Sequence, residues 1–291
     1  MASTQTDRIT CTNITINGCP GTGKSATYLF AKMLRDQDPF ETYVLLNGKP
    51  VPETHPDQMT TCTGNLDYLK NIYDPETKHK NFNTAMLVGF NLLKRELDIH
   101  TDAVDFITSE NYLCNDTPKC KEIIFIWERD SMTAGNIFIR ANQYNCLLDS
   151  KSAANPTDNN RDWDCVKVFS DTIKRLAKIQ HRELYDNTFL FTMIGDPQLC
   201  LEKVRSRGRP YESTHFTLDY MEELDLLHKE FAGITKTNRG YVETYKELYA
   251  EDKTPVKHIV INTDKYYNPE KIQEMKDAMS SLMYTMFMNS R

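Results

Sequence analysis

The chemistry of this chain concentrates in one short turn, Gly18-Cys19-Pro20-Gly21-Thr22-Gly23-Lys24-Ser25. It follows a strand-like run, Thr10–Asn17, in which Ile14 and Ile16 are apolar, and it precedes a helical stretch from about Ser25 to Leu34. Glycine is scarce, 11 in 291 residues, and three of the 11 fall within six residues of this turn. Such a turn lets backbone N–H groups converge on a phosphate with no side chain obstructing the approach. The following helix adds the positive end of its dipole. Lys24 supplies a cation for β- and γ-phosphates, and the Ser25 hydroxyl is a ligand for Mg²⁺. The pattern G-x-x-x-x-G-K-[ST], set between a strand and a helix, has the context that this chemistry requires. Its bland alternative is a chance glycine turn, which would not also place Lys24 and Ser25. A phosphate cradle alone implies nucleoside triphosphate binding and does not separate a motor, a switch and a small-molecule kinase.

Three further groups of residues bear on that choice. Glu128-Arg129-Asp130 directly follows the apolar run Ile123–Trp127. An acid and an arginine at the carboxyl end of a buried strand are placed for metal and phosphate work. Arg205-Ser206-Arg207-Gly208-Arg209, followed by Glu212, puts three arginines at alternate positions of an otherwise acidic protein. Guanidinium forks suit phosphate oxygens, and Gly208 gives the segment a hinge, so residues from about 203 to 214 read as a lid that excludes water. A helix C-terminus would account for Lys203 and Arg205 but not for arginines flanking a glycine. Val51-Pro52-Glu53 supplies a carboxylate that could take a proton from an attacking hydroxyl, although a lone Glu after Pro is usually a surface residue.

The elements that must position these residues alternate between strand and helix. Strands are expected at Thr10–Asn17, Tyr43–Leu46, Ile123–Trp127, Thr188–Ile194 and His258–Asn262. Helices are expected at Leu66–Tyr73, Thr84–Leu97, Asn136–Leu148, Val166–Leu184, Leu218–Phe231 and Pro269–Met288, and the polar segment Ser150–Arg161 reads as an exposed loop. This order predicts one α/β domain spanning 1–291: a parallel sheet of about five strands with helices on both faces. Met275, Met279, Met283 and Met286 recur at helical spacing, which suits packing better than a cofactor role.

Composition excludes several classes. The chain is 40% hydrophobic and 26% charged, enough apolar surface for a core. Its apolar runs are strand-sized, far short of the ~20 residues of a membrane-spanning helix. No basic n-region precedes an apolar stretch at the N-terminus, so no signal peptide is expected. The net charge of −6 gives no basic footprint for nucleic acid. The eight cysteines form no C-x-x-C pair and the seven histidines show no ligand spacing, so free thiols in a reducing compartment, cytoplasmic by default, are expected.

Together these motifs resemble the deoxynucleoside kinase family, the group of deoxycytidine kinase, deoxyguanosine kinase and mitochondrial-type thymidine kinase. The resemblance runs from Ile14 to the Tyr267 region and rests on order and spacing rather than on one motif. It implies ATP as phosphate donor, Mg²⁺, a deoxynucleoside acceptor, and a homodimer built through helices. It implies that Glu53 is the general base, that Glu128 helps to position Mg²⁺, and that Arg129 contacts the 5′-hydroxyl and the base carboxylate. The family's R-x-R-G-R-x-x-E lid reads here as Arg205 to Glu212, with Arg207 and Arg209 among its arginines. Tyr73 resembles the tyrosine that joins Glu212 on the sugar 3′-hydroxyl, and Phe138 the aromatic that stacks on the base. Asp264 and Tyr266 lie where the family has a loop against adenine. Several positions depart from the pattern: Asp130 replaces the usual Ser, Asn83 (in Phe82-Asn83) stands for the base-reading Gln, and Gln58 lies near the place of a family tryptophan. Cytidine-preferring members carry Asp and Arg where this chain has Ala134 and Phe90, which implies that thymidine or pyrimidine deoxynucleosides are favoured. Two rival readings stay open: a nucleoside monophosphate kinase of thymidylate kinase type, with Lys94-Arg95 arguable as the site for the acceptor's phosphate, and an NTP-driven switch that needs no acceptor.

Overall fold

A computed structural model of the chain describes residues 8–53, 81–113, 119–138, 140–141, 159–207, 216–236, 242–267 and 270–291. At its centre lies β1 (Thr10–Gly18), flanked by β4 (Glu122–Glu128) and β5 (Asn187–Ile194), both parallel to it. Beyond them are β2 (Thr42–Leu46) and β6 (Lys257–Asn262), and the full sheet runs β3-β2-β4-β1-β5-β6. The five parallel strands are the five expected from the sequence. The sixth, β3 (Lys49–Pro50), is a two-residue antiparallel edge that turns back from β2 just before Val51-Pro52-Glu53.

Helices cover both faces, as parallel strands require. On one face α1 (Thr27–Gln37) and the final helix, α7 (Ile272–Ser290), pack Phe30, Met279, Met283 and Phe287 against Ile14, Ile16 and Phe191. The methionine spacing of α7 is therefore core packing. On the other face lie α2 (Asn81–Leu113), α3 (Asn159–Leu184), α4 (Pro197–Ser206), α5 (Leu218–Phe231) and the short α6 (Tyr245–Leu248). Three of these starts are locally encoded: Asp196 caps α4 ahead of Pro197, Thr217 caps α5, and Thr244 with Glu247 forms a capping box on α6.

Three sequence expectations need correction. The helix expected at Thr84–Leu97 continues to Leu113, because Ala103 and Ile107 keep it seated on Ile123 and Phe125. The helix expected at Asn136–Leu148 opens on a π-helical turn, Ala134–Phe138, after a single turn Ser131–Thr133, and among the described residues it is α-helical at Arg140 and Ala141. Asn136 explains part of this: its amide pairs with both backbone groups of Glu243, a tertiary bond that no local pattern announces. Residues 159–161, read as loop, form the first turn of α3. The expected helix at Leu66–Tyr73 lies outside the described residues.

β1 buries polar residues as well as apolar ones. Asn13, Thr15 and Asn17 are solvent-free on the face opposite Ile14 and Ile16. Buried polar atoms are tolerated when hydrogen-bonded. Asn13 Nδ2 meets His181 Nε2 at 2.8 Å, and Thr15 Oγ1 donates to Asp130 Oδ2 at 2.9 Å. This polar seam lies directly beneath the carboxyl end of the sheet.

Candidate active site

The carboxyl ends of β1 and β4 meet beside the glycine turn, where a ligand crevice is expected in an open α/β sheet. Gly21 and Gly23 hold φ of 87° and 86°, a left-handed backbone that L side chains rarely adopt. A Cβ on Gly21 would also run into the carbonyl oxygen of Cys200, so the turn and α4 fit only with glycine there. Thr22 Oγ1 donates to Cys19 O at 2.8 Å and stitches the turn closed. Cys19 and Pro20 are buried within it, and Ser25 is half-buried in the turn Lys24–Ala26 that leads into α1.

Lys24 folds back over this turn, its Nζ donating to Gly18 O and Cys19 O at 2.7 Å each. Burial pushes the ammonium down from its ordinary value to about 7; Arg129 pushes the same way, Glu128 opposes, and Arg207 adds a smaller push downward. The structure therefore brings Lys24, Glu128, Arg129 and Arg207 within electrostatic reach of one another. A half-buried lysine among arginines is a site short of negative charge. Ser25 and Glu128 would hold Mg²⁺: both offer hard oxygen donors, and Mg²⁺ takes one or two such ligands together with substrate phosphates. Among the described residues no group of three or more His, Cys, Asp or Glu could hold a metal.

Arg129 adopts φ of 73°, and its guanidinium lies over the Phe138 ring, 4.1 Å from the centroid. His228 meets the same ring edge-on at 5.7 Å. One face of Phe138 is thus covered, and a base could stack on that face only after Arg129 swings away. Ala134 is buried one helical turn before Phe138, and Phe90 is partly exposed on α2. Asn83 lies in the first turns of α2.

Several of the other expected residues have partners of their own. The Glu53 side chain is 83% exposed and pairs with Arg35 at 3.2 Å. Its backbone is pinned, because Tyr28 OH reaches Pro52 O and Glu53 O at 3.0 Å each. Arg205 and Arg207 are exposed at the end of α4. Asp264 accepts the Asp196 N–H at 2.9 Å and so ties the loop after β6 to the start of α4. Tyr266 leans on the α1–α7 core, while Lys203 lies over the neighbouring Tyr267 ring at 3.8 Å. Tyr73, Arg209 and Glu212 lie outside the described residues, as does Gln58. Lys94 pairs with Asp98, and Arg95 donates to Asn47 O, so both cations of the arguable second phosphate site are engaged.

Sequence reading missed the polar seam under the site. Asp130 accepts from Thr133 N, Thr133 Oγ1, Thr15 Oγ1 and Tyr249 OH. Glu96, from α2, meets Ser131 N and Ser131 Oγ at 2.6 Å each. Burial, followed by the Asp130 charge, pushes the Glu96 carboxyl up to about 8. The folded chain then holds a proton that the unfolded chain releases near pH 4.5, so stability falls as pH rises from about 4.5 to 8. Glu96→Gln should flatten that fall, read as the urea midpoint at pH 5 and pH 8. Parallel slopes in the two proteins would place the proton elsewhere. His228 is pushed down to about 3 by burial, with Nδ1 2.7 Å from Leu224 O, so the ring is a neutral packing group.

No protein-family model matches the chain. Uncharacterized protein ORF44 of Ostreid herpesvirus 1 (isolate France) is 28% identical over 281 residues, covering 92% of this chain and 86% of that one. Two solved structures of deoxyadenosine kinase from M. mycoides are similar to it at low identity. The one with bound dCTP has a TM-score of 0.45 at 16% identity and covers 93% of this chain and 98% of its own. The one with products dCMP and a flexible dCDP has a TM-score of 0.46 at 14% identity and covers 94% and 99%. Among the described residues no helix is long and apolar enough to cross a membrane.

Proposed function

We propose that the chain, as one domain, is a deoxynucleoside kinase that transfers the γ-phosphoryl group of ATP to the 5′-hydroxyl of a deoxynucleoside, with thymidine and other pyrimidine deoxynucleosides favoured. The observation that carries this reading is the convergence of Lys24, Glu128 and Arg129 on the glycine turn at the carboxyl ends of β1 and β4. Backbone N–H groups from Gly21 to Ser25 cradle the phosphates, and Lys24 leaves its two carbonyl partners for phosphate oxygens. Ser25 and Glu128 would hold Mg²⁺, which would supply positive charge against the β- and γ-phosphates. Arg129 orients the acceptor hydroxyl. As the new O–P bond forms and the bond to the ADP oxygen breaks, the hydroxyl proton passes to the Glu53 carboxylate. Arg205, Arg207 and Arg209 close over the phosphates, stabilise developing charge and exclude water. Asp264 and Tyr266 border the nucleotide base. Tyr73 and Glu212 hold the sugar, and Asn83, Phe90, Ala134 and Phe138 border the acceptor base.

Arg95 donates to Asn47 O, whereas Lys94 holds only an exposed pair with Asp98, so a nucleoside monophosphate acceptor is left to the assay to decide. Incubation with Mg·ATP and thymidine should yield ADP and thymidine 5′-monophosphate, identified by ³¹P NMR; release of inorganic phosphate instead would make the chain an NTP hydrolase. Base choice has its own test. A carboxylate accepts from the cytosine N4 amine, so Ala134→Asp should shift preference toward deoxycytidine by roughly 10-fold in relative kcat/KM. An unchanged preference would remove Ala134 from the base pocket.

The homodimer finds support in α2 and α3, which pack side by side through Gln180 and Leu93 O at 3.1 Å. They leave Leu87, Leu97, Leu176 and Ile179 exposed. Sedimentation equilibrium at micromolar concentration should give twice the chain mass, and Leu176→Glu should halve it. A monomer before mutation would contradict the pairing.

A further inference from the structure

We infer that Asn47 and Asp130 are positioning residues which clamp the Glu128–Arg129 step from both sides and so aim the Arg129 guanidinium. The starting observation is backbone strain. Among the described residues two non-glycine positions have positive φ, Arg129 at 73° and Asn47 at 49°, and they are neighbours in space. Asparagine tolerates the left-handed region, whereas arginine has no local means of stabilising it. A strained residue persists only where its surroundings over-determine it.

The surroundings do so from both directions. On the upstream side, Asn47 stands where β2 runs out, and its own N–H donates to Ile126 O at 2.8 Å. Its side-chain Oδ1 then accepts the Glu128 N–H at 2.9 Å, and so continues the ladder of β4 for one residue beyond its strand partner. Arg95 fixes the carbonyl of Asn47 in turn. On the downstream side, Asp130 is 1% exposed and spends both carboxylate oxygens on anchors. Oδ1 caps the turn Ser131–Thr133 by accepting Thr133 N at 2.8 Å and Thr133 Oγ1 at 2.5 Å. Oδ2 accepts Thr15 Oγ1 from β1 at 2.9 Å and Tyr249 OH at 3.1 Å. The Trp127–Glu128 peptide, one residue before Arg129, is thereby fixed to the β2 turn, and the Asp130 side chain, one residue after it, to the sheet. Between them the Arg129 guanidinium lies over Phe138 at 4.1 Å and within electrostatic reach of Lys24. The Asp at position 130 thus has a use that a hydroxyl would not serve, since one Ser oxygen could not accept from three separate elements.

The rate part of the test rests on the kinase reading, and the structural part does not. Asn47→Ala, Asp130→Ala and Asp130→Asn are compared with the unaltered chain, each alone and combined with Arg129→Ala. With arginine labelled in ¹³C, the Arg129 δ-protons should show an upfield ring-current shift from Phe138. That shift should collapse in Asn47→Ala and Asp130→Ala and persist in Asp130→Asn, which keeps the capping oxygen. For thymidine phosphorylation, kcat should fall by ~10²-fold in the two alanine variants, the cost of misplacing a catalytic group by about 1 Å, while KM for Mg·ATP stays near its original value. In the Arg129→Ala background neither alanine change should lower kcat further. An Arg129 shift that survives both alanine variants overturns the clamp, as do losses that multiply in the Arg129→Ala background. If Asp130→Ala does not fold, Asn47→Ala and Asp130→Asn carry the same comparison. If the unaltered chain transfers no phosphoryl group to any nucleoside, the kinase reading fails, and the ring-current shift still decides the clamp.

Discussion

Lys24→Met should lower kcat/KM by ~10²–10³-fold, the usual cost of removing one preorganised donor from a transition state that gathers charge. Methionine matches the length and apolar stem of lysine, so the fold should persist, with Gly18 O and Cys19 O losing their shared donor. A second readout separates charge from packing. Free Lys24 titrates near 7, so at pH 8 it is mostly neutral. Phosphate oxygens brought beside it favour the ammonium. Binding of Mg·ATP at pH 8 should therefore take up close to one proton, measured by titration calorimetry in two buffers of different ionisation enthalpy. Lys24→Met should abolish that uptake. If the mutant binds and turns over normally, or if proton uptake is the same in both proteins, Lys24 does not face the phosphates.

Glu53→Gln should lower kcat by ~10²–10⁴-fold, the span for loss of a general base, with little change in KM. The structure makes this a demanding test. The Glu53 carboxylate rests on Arg35 at the surface, and the side chain is 83% exposed. Its main chain, by contrast, is held by Tyr28, and Lys32 adds a further bond to the carbonyl. The backbone is thus fixed while the carboxylate is free to exchange Arg35 for an acceptor hydroxyl. An exposed ion pair contributes only ~0–1 kcal/mol, so its loss opposes the swing weakly and the variant should keep its melting temperature. A near-normal kcat would remove Glu53 from the mechanism and leave its pairing with Arg35 as its whole role.

The parts of this molecule that could be read from sequence are those whose causes are local. The glycine turn declares itself because Gly21, Gly23, Lys24 and Ser25 are fixed by spacing, and the five parallel strands because β4 and β5 are continuous apolar runs. The helix Leu218–Phe231 was expected and stands behind its cap Thr217, whereas α4 and α6, capped by Asp196 and Thr244, were not expected. What else escaped is long-range. Asp130 meets Thr15 across 115 residues and Tyr249 across 119. Asn136 holds Glu243 across 107, and with it a π-helical turn where periodicity alone predicts α-helix. The direction of a side chain escaped too. Val51-Pro52-Glu53 was visible as a motif, but only the fold shows the carboxylate on Arg35. The seam of Asn13, Thr15, Glu96, Asp130 and His181 had no sequence signature, because each residue is ordinary until the sheet brings them together.

The most direct test of the central claim is a coupled assay of ADP release from Mg·ATP. Thymidine, deoxycytidine, deoxyadenosine, deoxyguanosine and thymidine monophosphate are offered in parallel, with a control lacking acceptor. The kinase reading predicts turnover on thymidine, with or without deoxycytidine, and a background far below it in the control. ADP release at the same rate with every acceptor and with none would contradict it, leaving a phosphate cradle without a nucleoside kinase, and release on the monophosphate alone would move the acceptor one phosphate along.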